Sequence, residues 1–310
     1  MKNPLEFILA LTLAVGISAS SLSASVTIDW VTVGDPGNLA QSAANRAHGF
    51  SEGDGFGSVN HTYRIGRDLV TNNQYAAFLN ATAASDPYGL YNLNMSSKTP
   101  GGISRSGSSG SYEYLVKAGM GNKPVNYVSW FDAARFTNWL HNGQGSGSTE
   151  TGAYTLNGAT SGIITKNSSA TVWIPTEDEW FKAAYYNGAT GQYSLYATGW
   201  DTISTAEANY DLSVATVSDV GAYAFPSYYG TYDQAGNVWE WNDAVSGSSR
   251  VMRGGAWGND EASLRSSLRS ELSPTLEFGP LGFRVAMVPE PSVLVLTMLF
   301  SAALVTRRKR

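Results

Sequence analysis

The string YDQAGNVWEWNDAV spans Tyr232–Val245 and is answered by VMRGGAW at Val251–Trp257. Gly236 and Asn237 mark a tight loop, and the run from Val238 to Trp241 reads as a strand leaving it. Trp239 and Trp241 flank Glu240, so on a strand they share one face and are expected to pack in the core. Along the loop, Asp233, Gly236, Val238 and Glu240 stand three, two and two residues apart. Two carboxylates and two main-chain carbonyls can converge at such spacing, which is the hard oxygen set that Ca²⁺ takes. The same carboxylates have another use, capping turns or pairing with Arg253 or Arg284. Both arginines are expected to be partly buried, ion-paired and structural. Asn209 and Asp211 offer a second, weaker pair of oxygen ligands.

Working outward from this string, three helices announce themselves by capping boxes. Thr71 and Gln74 precede Tyr75, Phe78 and Leu79 at helical spacing. Ser129 and Asp132 precede Phe136, Trp139 and Leu140, with a stop at Asn142-Gly143. Thr176 and Glu179 precede Trp180, Ala183 and Ala184, with a stop at Asn187-Gly188. Residues 26–70 read as short strands and turns, and residues 188–288 as strands and irregular loops without a long helix. The Gly/Ser-rich stretches 98–111 and 143–170 read as surface loops or hairpins whose composition favours flexibility over packing. The expected class is α+β with few, short elements.

Composition narrows the function. There are 33 Gly, 17 Tyr and 9 Trp, but only 15% charged residues, which suits a loop-rich, aromatic-rich fold. The formal charge is −5; Lys2 and Glu6 cancel at the start, and four bases against Glu290 give +3 at the end, leaving the body near −8. That sign argues against nucleic acid or an anionic membrane as partner. With no cysteine, thiol nucleophiles, thiolate metal sites and disulfides are all absent. His48, His61 and His141 are scattered, with no i, i+4 pair, and read as ordinary hydrogen-bonded side chains.

Four strings taken together carry a resemblance: KPVNYVSWFDAARFTNWL (123–140), WIPTEDEWFKAAYY (173–186), YDQAGNVWEWNDAV and VMRGGAW, closed by LGFRVA (281–286). Their order and spacing resemble the formylglycine-generating enzyme, or sulfatase-modifying-factor, superfamily. The resemblance implies a single irregular C-type-lectin-like fold over about residues 26–287, with GNVWEW and RGG…GFR at its heart. It also implies calcium at Asp233, Gly236, Val238 and Glu240, and a ligand pocket lined by Trp257, Asn259 and Asp260. Members that make formylglycine hold Cu(I) between two cysteines and carry a Ser after Gly-Gly, because soft thiolates select Cu(I). Here Gly254-Gly255 is followed by Ala256 and no Cys exists, so copper chemistry is not expected.

Both ends look like addresses. Residues 1–24, with Lys2 ahead of an apolar Phe7–Ile17 stretch, read as a secretory signal peptide. At the other end, Pro289-Glu290-Pro291, an apolar run of 13 residues from Val293 to Val305 and the basic cluster Arg307–Arg310 are shorter than a spanning helix needs. This arrangement over 288–310 resembles the PEP-CTERM signal of Gram-negative bacteria, which implies transient anchoring through residues 292–306 and cleavage by an exosortase-type protease. The expectation is an exported, non-catalytic protein of the cell surface or extracellular matrix that binds exopolysaccharide or another polar surface ligand. Two other readings stay open: a modifying enzyme with non-cysteine chemistry, and a structural surface scaffold.

Overall fold

The computed structural model describes residues 25–47 and 55–289; the first address segment, the second from Glu290 onward and His48 lie outside them. The three capping boxes each open a helix. Among the described residues four α-helices occur in chain order: α1 (Asn72–Thr82), α2 (Asn94–Ser97), α3 (Trp130–His141) and α4 (Glu177–Tyr185). At α3 the Ser129 hydroxyl accepts from the Asp132 amide at 3.1 Å, while the Asp132 carboxylate accepts from the Ser129 amide at 2.8 Å. Thr71 with Gln74 and Thr176 with Glu179 repeat the arrangement. Each box satisfies two otherwise orphaned amides, and losing such a cap costs about 1 kcal/mol.

The strands are short because loops carry most of the chain: β1 (Trp30–Val33), β2 (Tyr63–Gly66), β3 (Ile103–Ser106), β4 (Glu113–Val116), β5 (Val172–Trp173), β6 (Tyr186–Asn187), β7 (Gln192–Tyr193), β8 (Trp239–Ser246), β9 (Ser249–Arg253), β10 (Ser270–Leu272), β11 (Leu281–Gly282) and β12 (Ala286–Met287). They form two four-stranded sheets, ordered β1-β2-β12-β5 and β10-β9-β8-β11, and two hairpins, β3-β4 and β6-β7. In the second sheet β11 runs parallel to β8, pairing Leu281 with Trp239, so the last part of the chain returns to the middle of the fold. The α+β, C-type-lectin-like class expected from the resemblance is the one observed.

The apolar faces of α1 and α3 meet in an aromatic core. Phe78 and Phe136 lie edge to face at 5.4 Å, and Phe136 meets Phe283 at the same spacing. Trp239 and Trp241 are 7% and 0% exposed, so both indoles are core residues. A second cluster, built on Trp180, Phe181, Tyr185 and Tyr193, packs beneath α4.

The Gly/Ser-rich segments are a hairpin strand and a largely surface loop, as expected, but they pack more than their composition suggests. Residues 143–170 bury Ala153, Tyr154 and Leu156 almost completely. Two side chains of α3 hold them down: Asn138 donates to the carbonyls of Thr149 and Tyr154, and Arg135 makes a paired contact with Glu150 at 2.7 and 3.0 Å. Stretch 98–111 supplies β3, whose Ile103 is fully buried. Composition describes what such segments do alone, and helix-borne polar groups override it.

Candidate functional site

The GNVWEW and RGG strings come together on paired strands, with the Cα atoms of Glu240 and Arg253 opposite one another across β8 and β9. Their side chains nevertheless choose other partners. Glu240 and Arg284 are both fully buried and joined by two parallel bonds, Nε to Oε2 at 2.6 Å and Nη2 to Oε1 at 2.7 Å. Trp180 adds Nε1–H to Oε2 at 2.8 Å. The rest of the Arg284 fork donates to the carbonyls of Gly66, Arg67 and Tyr232. Arg253 pairs with Glu177 at 2.6 Å, and Arg269 reaches the same carboxylate. Both arginines are structural as expected, and they are fully rather than partly buried.

This arrangement bears on the calcium ligands. Both oxygens of Glu240 are already committed to donors, and one positive charge already neutralises it, so it does not fit a second cation. Asp233 does fit one. It sits at a positive φ of 59° and accepts one bond, from the Gly221 amide at 2.7 Å. Burial pushes its carboxyl up to about 7, against the opposing pull of that amide and of Arg284. Near Gly221, Asp68 keeps a buried Oδ1 with no hydrogen-bond partner, 3.4 Å from where a Gly221 Cβ would stand. Among the described residues no three His, Asp or Glu side chains converge as a metal cluster. Gly236 supplies backbone shape here: at φ 83° it lies against Asn209, where a Cβ would come within 2.3 Å of the Asn209 carbonyl oxygen. Asn209 is buried with its amide on the Thr216 carbonyl and its own Oδ1 unpaired, whereas Asp211 is exposed and bonds through its backbone to the Asn259 carbonyl. Val238 is fully buried against Leu69 and Val217.

The segment after Gly254-Gly255 closes on itself. The Asn259 Oδ1 accepts from the Ala256 amide at 2.9 Å. Asp260 caps a short 3-10 helix, Glu261–Leu264, by accepting from the Ser263 amide and hydroxyl. Trp257 is half-buried against both the main core and the Leu69 cluster. Two of the three residues expected to line a ligand pocket, Asn259 and Asp260, therefore spend side-chain oxygens on local turns, and clefts of several hundred Å³ lie elsewhere. One, of about 370 Å³, holds His61, whose Nε2 sits 3.0 Å from Glu179 Oε1. Burial pushes Glu179 up, but bonds from His61, Trp173 and the Thr176 amide outweigh it and hold the carboxyl low. His141 bonds Thr171. A third feature, invisible to motif reading, is a groove of about 480 Å³ walled by Trp200 and Tyr228.

A family model for the "Sulfatase-modifying factor enzyme 1-like domain" matches residues 35–288. Hercynine oxygenase of Mycobacterium tuberculosis is 25% identical over 235 residues, covering 67% of this chain and 48% of that protein. The inactive C-alpha-formylglycine-generating enzyme 2 of Bos taurus is 32% identical over 132 residues, covering 36% and 43%. The chain thus spans about half the length of the curated relatives it matches. Among solved structures, Treponema denticola variable protein 1 superposes with a TM-score of 0.57 at 23% identity, covering 86% of this chain and 97% of that one. At that identity the likeness is one of fold.

Proposed function

The chain belongs to the sulfatase-modifying factor enzyme 1-like domain family, and from that membership we propose that it is an exported, non-catalytic binding member working at the cell surface or in extracellular matrix. The observation that carries this reading is the turn after Gly254-Gly255. Ala256 stands first, Asn259 and Asp260 satisfy backbone amides, and no thiol exists anywhere in the sequence. The strings that give the family its shape are kept for ion pairs and packing. The two address segments support export, with an exosortase-type protease as processing partner and Pro289-Glu290-Pro291 as its target. Calcium belongs to this proposal as a structural ion at Asp233, with the Gly236 and Val238 carbonyls as its other ligands.

The test is titration calorimetry of the purified chain against the exopolysaccharide of its own host, with and without Ca²⁺. Heat of binding is expected, and its absence in both conditions sinks the reading. Mass spectrometry of the surface-released protein should find a new end near Pro289.

One observation favours a second reading, a modifying enzyme of oxidoreductase type. The likeness to hercynine oxygenase covers 67% of this chain, and His61 with Glu179 borders an open cleft. Metal analysis of the protein separates the two, because a stoichiometric redox metal would overturn the non-catalytic proposal.

A further inference from the structure

The groove of about 480 Å³ is walled mainly by three parts of the chain, with Ala47, Ala184 and Tyr185 completing its lining. The β6-β7 hairpin gives Asn187, Thr190 and Gln192; the turn after β7 gives Thr198 and Trp200; a later loop gives Ser227 and Tyr228. Trp200 is 60% and Tyr228 49% exposed, among the largest apolar side chains left open to solvent. Among the described residues no charged side chain lines the groove.

Its aromatic walls are held in place. Tyr196 and Trp200 close a turn through a 3.0 Å backbone bond, and the Asp201 carboxylate pins the Leu195 amide at 2.8 Å. The loop carrying Tyr228 is tied by Ser227 to Thr231, backbone to backbone at 2.9 Å and hydroxyl to hydroxyl at 2.6 Å. Gly188, at the hairpin turn, leaves room chiefly for the Asp35 carboxylate, 2.1 Å from where a Cβ would stand, with the Tyr228 ring next at 3.2 Å. An ordered aromatic ring left in water forgoes the burial that favours it elsewhere, and exposed apolar patches of this kind mark contact surfaces.

The polar groups name the ligand. Hydroxyls and amides, from Asn187, Thr190, Gln192 and Ser227, stand among the rings. A ligand matched to this wall has flat apolar C–H faces, many hydroxyls and no charge. We infer that the Trp200–Tyr228 groove is a binding site for a neutral saccharide chain. Rings take its C–H faces, while the Asn187 Nδ2 donates to its hydroxyls and the Gln192 amide exchanges hydrogen bonds with them. A proline-rich peptide also lies on aromatic rings, but it has no hydroxyls to use the ring of amides and hydroxyls. The inference rests on the binding reading above and moves its site away from Trp257.

The test uses the full chain in affinity electrophoresis and calorimetry against four probes: a neutral β-glucan, a neutral galactomannan, alginate and a polyproline peptide. Binding is expected to at least one neutral glycan and not to alginate or polyproline. Trp200→Ala and Tyr228→Ala should each weaken it about tenfold, near 1.4 kcal/mol. Trp200→Phe and Tyr228→Phe should keep most of the affinity, and Phe278→Ala, a surface change outside the groove, all of it. All variants should melt like the parent. Neutral glycan binding that survives both alanine variants overturns the groove while leaving the binding reading intact. Binding of alginate or polyproline in place of the neutral glycans overturns the ligand class. If no probe binds but host exopolysaccharide does, the inference fails alone; if that polymer fails too, both fail.

Discussion

Replacing Arg284 with methionine tests the centre of the fold. The change removes five hydrogen bonds: two to Glu240 and one each to the carbonyls of Gly66, Arg67 and Tyr232. Glu240 stays fully buried with only the Trp180 indole N–H facing it. Removing one partner of a buried ion pair costs about 3–5 kcal/mol, because the other charge is left without compensation. At about 2–4 °C per kcal/mol for a domain of this size, a loss of about 4 kcal/mol lowers Tm by about 8–16 °C. The double variant Arg284→Met/Glu240→Met removes both charges and should be less destabilised than the sum of the two single variants. Urea unfolding and calorimetry at neutral pH, repeated at high salt, measure both; a buried pair should respond little to salt. An Arg284→Met loss below about 1 kcal/mol, or strictly additive single and double variants, would refute the role given to this pair.

Three further outcomes are expected. Gly236→Ala combines a positive φ with a Cβ placed 2.3 Å from the Asn209 carbonyl oxygen, so it should cost more than the ~1 kcal/mol of an ordinary Gly exchange, and near-parental melting contradicts the loop geometry. Asp132 is buried in the α3 capping box, and burial, then repulsion from Glu277, push its carboxyl up to about 7. The folded chain holds this proton more tightly than the unfolded one, so the group's contribution is complete below about pH 4 and fades as pH rises through about 7. Asp132→Asn should therefore gain stability relative to the parent as pH rises from about 4 to 7, and a pH-independent difference would count against it. Addition of Ca²⁺ should raise the Tm of the parent but not of Asp233→Ala; a parent indifferent to calcium and to chelator removes the ion from the account.

Local chemistry made much of the fold readable in the sequence. The three capping boxes are contacts between a residue and its neighbour three places on, so Thr71, Ser129 and Thr176 announced their helices without reference to anything distant. The alternating tryptophans around Glu240 likewise revealed a strand. Partner choice was not readable, because it depends on which strands meet. Arg253 lies across from Glu240 on the backbone, yet its guanidinium goes to Glu177 on α4 while Arg284 takes the carboxylate. The burial of Tyr154 inside a Gly/Ser-rich stretch depends on Asn138, 16 residues away. The groove escaped notice for a related reason: its walls come from segments about 30 residues apart. One signal was present, since residues 183–200 carry no charge but contain five aromatic residues ending at Trp200.

The sheet order β1-β2-β12-β5 sets the timetable of folding. Strand β12 stands between β2 and β5, pairing Ala286 with Ile65 on one side and with Trp173 on the other. A growing chain makes β2 and β5 long before the strand that joins them, and β8 must likewise wait for β11. Until residue 287 emerges, both sheets lack an inner or closing member, and the aromatic core lacks Phe283. Chains cut short before Leu281 should therefore stay open to protease, and folding should complete only once residues 281–287 are available to pair.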